Sequence, residues 1–236
     1  MKTINFKFAL GVLSFALLAS CNKDEVISDR TISEQEMAEI AINSVSKQTN
    51  GLVSQVEKSV EMTISSSTTC GQSDNATFAA TNATGSVITY STSYNWNWIY
   101  NCSGSVPSNF AYTFSGNSAY DTPRMSSNDV DNYQFVLSNL DASQPNFVVN
   151  ETLTREGTQV SKIQNQYSFT SLVQTNSTNI NVNKATGKIV SGEVSIQINA
   201  TSTSGNSVQR SGNLVFNGNN SATLTFLNGN VYNFSW

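Results

Sequence analysis

Residues 90–102 read Tyr90-Ser-Thr-Ser-Tyr94-Asn-Trp96-Asn-Trp98-Ile-Tyr100-Asn-Cys102. Successive side chains of a β-strand point to opposite faces, so the even positions of this stretch share one face. That face is aromatic, and the opposite face carries Asn95, Asn97, Ile99 and Asn101. The stretch predicts a strand whose aromatic face either packs in the protein core or contacts a ligand.

Two hypotheses fit this aromatic face. Flat rings beside amides can stack on sugars or line an apolar ligand cavity, and this makes the row a candidate ligand face. Its members are Tyr90, Tyr94, Trp96, Trp98 and Tyr100. Alternatively the row is the inner face of a sheet packed on a helix. We favour this core interpretation, because Cys102 shares the face and a disulfide to Cys70 would draw the preceding segment onto it.

Alternation of apolar or aromatic residues with Asn, Ser and Thr continues to the end of the chain. The predicted strands lie near 85–101, 108–115, 131–138, 146–155, 165–174, 178–183, 188–201, 207–216, 221–227 and 230–235. Asn217-Gly218 and Asn228-Gly229 are typical of type I′ hairpin turns. The fold class is therefore mainly β, a long antiparallel meander forming a curved sheet, half-barrel or barrel over residues 84–236.

A helical segment is predicted over residues 33–64. Ser33 and Glu36 form a capping-box pattern, and Met37, Ile40 and Val45 recur at helical spacing. Asn50-Gly51 interrupts the pattern, which indicates two short helices or one kinked helix. We expect the apolar stripe to pack on the sheet rather than on a partner, so residues 33–236 form a single domain.

The N-terminus has the pattern of a signal peptide. Lys2 and Lys7 precede an apolar run too short to span a bilayer, which ends in Leu18-Ala19-Ser20-Cys21. These four residues resemble the lipobox of bacterial lipoproteins. The resemblance implies a signal peptide over residues 1–20 and acylation of Cys21, with palmitate among the attached lipids. The alternative is a plain secretory peptide whose Cys21 joins a disulfide.

The residues after Cys21 bear on localisation. Asn22 rather than Asp follows the cysteine, which by the lipoprotein sorting rule implies the outer membrane. Lys23-Asp24-Glu25 resembles the short acidic tag that exports some lipoproteins to the cell surface, although a charged tether over residues 21–32 explains it equally. Because this compartment is oxidising, we expect Cys70 and Cys102 to form a disulfide.

Composition excludes several functions. Without the leader the chain has 10 basic and 16 acidic residues, so no basic patch is expected for nucleic acid. Histidine is absent, which removes the usual catalytic triads and the commonest metal ligand. We predict no metal and no cofactor, and Asp129-Val-Asp131-Asn132 is a poor calcium motif.

A pair of carboxylates is the remaining catalytic option. The acids near predicted turns and strands are Asp129, Asp131, Asp141, Glu151 and Glu156. Their spacing singles out no pair, and we expect them to be solvated surface acids. An enzyme is therefore not predicted.

Three functional hypotheses remain. The first is a binding module for a glycan or an apolar small molecule, and the second is an interaction lipoprotein with a protein partner. The third is a hydrolase that uses two acids. A helix followed by a long meander resembles the half-barrel of periplasmic lipoprotein carriers and the surface sandwiches that bind glycans, but no motif supports either likeness. We favour a non-enzymatic, lipid-anchored outer-membrane protein of binding type.

Overall fold

The computed structural model describes residues 31–66, 69–82, 85–163 and 167–236. The predicted signal peptide, Cys21 and the charged residues after it lie outside the described residues. The helices are α1 (Glu34–Val45) and α2 (Leu52–Ser65), joined through a 3-10 turn at Lys47–Thr49. The strands are β1 (Ser73–Thr81), β2 (Thr89–Ser103), β3 (Val106–Asp121), β4 (Met125–Ser138), β5 (Asn146–Ser161), β6 (Tyr167–Asn183), β7 (Ile189–Ser202), β8 (Ser207–Gly218), β9 (Ser221–Phe226) and β10 (Val231–Ser235).

The helical segment has the predicted form of two short helices. Ser33 and Glu36 make the reciprocal capping box at the start of α1. Ile32, which the sequence placed in the tether, is buried, and with Met37 it occupies the two positions of a hydrophobic staple. Asn50 has a φ of 57°, and this left-handed residue separates the helices. Within the described part of the chain, neither helix is both long and apolar enough to cross a bilayer.

The sheet is a ten-stranded antiparallel meander in which each strand pairs with its neighbours in sequence. Among the described residues, β1 pairs only with β2 and β10 only with β9, so the sheet is not closed. The predicted mainly β meander with packed helices is confirmed, in the open form rather than as a barrel.

The number of strands agrees, but β3, β4 and β5 each extend six residues beyond one predicted end, and two predicted assignments are wrong. β1 begins at Ser73, before the predicted start of the β region at residue 84. The predicted strands 165–174 and 178–183 are one strand, β6, with a shift of register between Asn176 and Asn181. The run Asn176-Ser-Thr-Asn179 has the composition of a turn, but it forms an irregularity inside a long strand.

The two predicted type I′ turns are also misplaced. At the β8–β9 hairpin Gly218, Asn219 and Asn220 all have positive φ angles, at 73°, 51° and 57°, and the two central residues of the turn are Asn219 and Asn220. Gly218 is the last residue of β8 and pairs with Ser221. At the β9–β10 connection only Gly229 has a positive φ, and Phe226 accepts a hydrogen bond from Gly229, closing a longer loop.

The sheet curls around the helices. Glu57 and Lys58 are adjacent on α2, yet Glu57 pairs with Lys188 between β6 and β7, whereas Lys58 lies 5.1 Å from the Phe78 ring on β1. β1 and β6 would be about 24 Å apart in a flat sheet. Since neighbouring helical residues reach both strands, the helix-bearing face must be concave.

The concave face holds the core. Its strand residues alternate with exposed ones throughout β2 to β9, and they form one hydrophobic cluster with the apolar stripes of both helices. Trp96 stacks on Phe114 with ring centroids 3.8 Å apart, at the centre of the aromatic part of this cluster.

The convex face bears two adjacent rows of uncharged polar side chains, which together we call the polar stripe. The first row follows the register across nine strands through Asn75, Asn97, Thr113, Gln134, Thr152, Asn176, Ser195, Asn213 and Thr225. The second row follows it across eight strands through Thr77, Asn95, Ser115, Asn132, Thr154, Gln174, Gln197 and Ser211.

The predicted disulfide between Cys70 and Cys102 is present, with a Cα–Cα distance of 5.6 Å. It joins the segment after α2 to β2, and it closes a loop with a sequence separation of 32. The bond holds the segment just before β1, an edge strand, against β2, whose aromatic face packs in the core.

We predict that the double change Cys70→Ser and Cys102→Ser lowers the free energy of unfolding by roughly 3–4 kcal/mol, because the crosslink restricts the unfolded chain. Urea denaturation followed by tryptophan fluorescence measures the effect. The unchanged protein under reducing conditions is the control and should match the double variant. Equal stability of the oxidised protein and the variant would contradict this role.

Candidate functional site

The five residues of the predicted ligand face differ in their surroundings. Tyr94, Trp96 and Tyr100 are buried in the core, with no more than 3% of any of them exposed. Tyr90 and Trp98 are half-buried at the margin of the same cluster. The row is therefore an inner face of the sheet that reaches solvent only at its margins.

An open cleft of about 700 Å³ lies where the helices leave part of this face uncovered. It is bounded by α2, by β1 and β2, and by the turn between β6 and β7. Tyr90, Tyr94 and Trp96 line it together with Phe78. Of the other two predicted residues, Tyr100 lines a separate cavity of about 420 Å³ with Phe110 and Phe147.

Several lysines line this cleft, and we therefore call it the lysine cleft. Residues 31–236 contain five lysines, and four of them line it, namely Lys47, Lys58, Lys184 and Lys188. Only two acids, Glu57 and Glu61, line it with them. The surrounding chain is acidic, with eight basic and thirteen acidic residues over the same range. The lysine cleft is thus a locally positive site on a negative domain.

Ion pairs position three of these lysines. Glu57 Oε2 lies 2.5 Å from Lys47 Nζ and 2.9 Å from Lys188 Nζ, so one carboxylate serves two ammonium groups. Lys58 pairs with Glu61 at 3.1 Å and also lies over the Phe78 ring. An ammonium group has three donors, so these lysines keep hydrogen-bonding capacity for a bound anion.

Trp96 lies at the inner side of the cleft, and 1% of it is exposed. Its indole Nε1 is buried and has no hydrogen-bond partner among the described residues. A buried donor without a partner costs free energy, and proteins satisfy nearly all such groups.

A buried ion cluster lies next to the cleft on the concave face. Arg155 Nη2 lies 2.6 Å from Asp129 Oδ2, and Arg155 Nε lies 3.5 Å from Asp131 Oδ1. Tyr94 donates a hydrogen bond to Asp131 at 2.8 Å, and Gln159 donates one to Asp129 at 2.9 Å. Two carboxylates share one guanidinium here, and neutral donors compensate the excess negative charge.

Burial would by itself lower the pKa of Arg155, but the carboxylates of Asp131 and Asp129 outweigh it and raise the pKa. Burial also raises the pKa of Tyr94, and the charge of Asp131 raises it further. Tyr94 therefore stays protonated and donates to Asp131 while its ring lines the lysine cleft.

Glycine makes room for this cluster. Gly157 pairs with Asp129 across β4 and β5, and a Cβ there would lie 2.2 Å from Asp129 Oδ1. Gly116 lies between Tyr94 and Asp131 in the register, and a Cβ there would lie 2.9 Å from the Cα of Tyr94. The lack of a side chain at Gly157 makes room for the Asp129 carboxylate, and at Gly116 it lets the backbone of β2 approach closely.

The structure corrects the expectation that the acids of the β region are solvated. Asp129, Asp131 and Glu151 are buried on the concave face, whereas Asp141 and Glu156 are exposed. Strand alternation splits the Asp129-Val-Asp131-Asn132 run between the two faces of the sheet. Across the described ranges no group of three or more acids and cysteines is placed to hold a metal ion.

Glu151 is a buried acid outside the ion cluster. It is 2% exposed, and its Oε2 accepts a hydrogen bond from Thr175 at 3.0 Å. Burial raises its pKa to about 8, with the Thr175 bond acting in the opposite direction. The folded protein therefore holds this carboxyl group protonated at neutral pH.

The sequence analysis missed Arg155 and the four lysines of the cleft. A signal for Arg155 was present, since it shares its strand face with Leu153 and Val149, which belong to the core. The lysines fall in two short segments, 47–58 and 184–188. Nothing in the sequence shows that these segments meet.

No family model, no curated protein and no solved structure matches this chain.

We predict that Glu151→Gln raises the stability of the protein at alkaline pH. Between about pH 5 and 8 the folded state holds a proton that the unfolded state has lost, so wild-type stability should fall as pH rises and level off above about 8. The variant lacks this fall, and above pH 8 it should be more stable by on the order of 4 kcal/mol.

The measurement is urea denaturation from pH 4 to 9. Glu156→Gln is the matched control, because Glu156 is an exposed acid on the same strand. Parallel pH profiles for the wild type and Glu151→Gln would show that Glu151 is ionised in the folded protein.

Proposed function

We propose that this chain is a lipid-anchored, non-enzymatic binding protein of the outer membrane, whose lysine cleft holds an anionic ligand with a flat apolar body. The anchor part rests on Leu18-Ala19-Ser20-Cys21, and the binding part rests on the cleft. The observation that carries the ligand class is the presence of four of five lysines around an aromatic lining.

The lining has two chemistries that one ligand would meet together. Phe78 and Tyr90, which are half-buried, offer flat apolar surface that suits a ring or a short hydrocarbon chain. The lysines offer positive charge at the rim, which favours a carboxylate, sulfate or phosphate group. A cleft of about 700 Å³ is within the size range of small-molecule sites.

Tyr94 fixes the inner wall of the cleft, because its hydroxyl group donates to Asp131 while its ring lines the cleft. The ion cluster therefore positions a wall of the cleft and takes no ligand itself.

A non-enzymatic function agrees with the state of the buried acids. Asp129 and Asp131 bind Arg155 and lie on the far side of Tyr94 from the cleft, and the chain contains no histidine. The acids that do line the cleft, Glu57 and Glu61, are held by lysines.

The test uses the chain from Asn22 onward, which retains the whole compact unit Thr31–Trp236. Two fluorescent probes are titrated, the anionic 8-anilinonaphthalene-1-sulfonate and the neutral N-phenyl-1-naphthylamine. We predict that the anionic probe binds more tightly. Lys58→Gln with Lys188→Gln should weaken its binding at least tenfold and leave the neutral probe nearly unchanged, because only the charge interaction is removed.

Lys162→Gln is the matched control, because Lys162 is the one lysine of residues 31–236 that does not line the cleft. This change should leave both probes unaffected. Equal binding of both probes to all variants would refute the anionic ligand class.

The anchor has its own test. We predict that cells expressing the full chain incorporate radiolabelled palmitate into it, and that Cys21→Ser abolishes the label because the acylated thiol is lost. Cys70→Ser with Cys102→Ser should retain the label. Label that survives Cys21→Ser would show that the chain is not anchored through this residue.

A further inference from the structure

The polar stripe on the convex face is a second feature that requires an explanation. Its seventeen positions contain only Asn, Gln, Ser and Thr, and they follow the register without interruption across eight or nine strands. The whole chain has 12% charged residues, so about two charges would be expected in a set of this size.

This composition restricts what the stripe can recognise. Without basic residues it does not favour nucleic acid or an anionic polymer. A protein interface usually has aromatic residues, methionine or arginine at its core, and the stripe has none of these. Amides and hydroxyl groups each both donate and accept hydrogen bonds, which complements an uncharged partner with many hydroxyl groups.

The surface along the stripe has two adjacent shallow depressions, which together we call the groove. One of about 250 Å³ lies along the stripe from Asn97 to Thr154, and a second of about 530 Å³ lies from Thr152 to Asn213. Thr152 and Thr154 line both. Together the two depressions cross β2 to β8, a span of about 29 Å at the usual strand spacing.

The polar side chains along the groove repeat at the spacing of the strands. Each step to the next strand advances about 4.8 Å and presents another polar pair, one side chain from each row. This advance is close to the length that one sugar ring occupies along an extended glycan. Successive rings of a linear glycan laid across the strands would therefore meet equivalent polar pairs.

An apolar margin beside the stripe fits the same partner. Ile99, Ala111 and Val136 are in register next to Asn97, Thr113 and Gln134. Ile99 and Val136 are 38% and 39% exposed, which leaves aliphatic surface facing water. The C–H faces of sugar rings would cover this surface while their hydroxyl groups bond to the stripe.

The lack of charge in the stripe, the spacing of its polar pairs and the apolar margin beside it point to one partner. We infer that the convex face binds a neutral, linear glycan, whose chain runs across the strands along the polar stripe. This site is on the opposite face of the sheet from the lysine cleft and does not depend on it.

The test is native affinity electrophoresis of the chain from Asn22 onward in gels that contain one polysaccharide each. The neutral probes are mixed-linkage β-glucan, galactomannan and amylose, and the anionic comparator is alginate. At least one neutral polysaccharide should retard the protein, and alginate should not. Gln134→Leu with Thr152→Val, a registered pair in the groove, should weaken the retardation at least tenfold.

The matched control is Asn128→Leu with Thr158→Val, which is a registered pair of the same chemistry on the same two strands but outside the stripe. It should bind as the unchanged protein does, and equal urea midpoints would show that both variants fold. The lysine-cleft variants should also bind normally. Retardation by no neutral polysaccharide, or equal loss in the two registered pairs, would overturn the inference.

Discussion

One face of the ten-stranded sheet is largely apolar, and in the described part of the chain two short helices cover it. The helices have 12 and 14 residues, so they are about 18 and 21 Å long. Ten strands would form a flat sheet about 43 Å wide. The sheet can bury its aromatic side chains only by curling around the helices.

Contacts of α1 agree with this curl, because three acids of this one helix reach widely separated strands. Glu34 accepts a hydrogen bond from Asn228 beside β10, and Glu36 accepts one from Tyr167 on β6. Glu39 forms an ion pair with Arg124 beside β4.

The buried ion cluster imposes a second constraint on the same face. A slip of one residue between β4 and β5 would turn Asp131 and Arg155 toward opposite faces of the sheet. The burial of two carboxylates with one guanidinium gives little stability by itself, because desolvation opposes the attraction. Its effect here is to exclude a one-residue slip, because such a slip would leave the buried charges of Asp131 and Arg155 unpaired. Since Tyr94 belongs both to this cluster and to the wall of the lysine cleft, the register of the central strands also fixes the shape of the cleft.

The sequence predicted what depends on local periodicity and missed what depends on pairing between distant segments. The capping box at Ser33, the break at Asn50 and the long meander all follow from local patterns. β1 was missed because its alternating residues Ala76, Phe78 and Ala80 form a weak pattern. The sequence also contains the information that Asp131 lies on an apolar strand face, since Tyr133 and Phe135 alternate with polar residues on the same strand. Without the register of β4 against β5, however, no pattern could assign Arg155 as its partner. The lysine cleft depends on the curl of the whole sheet, which no local pattern contains.

The two faces of the sheet obtain their chemistry from different parts of the chain. The lysines of the cleft come from the helical segment and from one turn, where side chains are free of the sheet register. The polar stripe comes only from strand positions, where each residue is fixed in a row by its neighbours. Like charges placed in such a row would lie about 4.8 Å apart on neighbouring strands and repel each other, and an uncharged row avoids this repulsion. The curl that opens the cleft on the concave side also exposes the stripe on the convex side. A single bend thus produces both candidate surfaces, and substitutions at one leave the residues of the other in place.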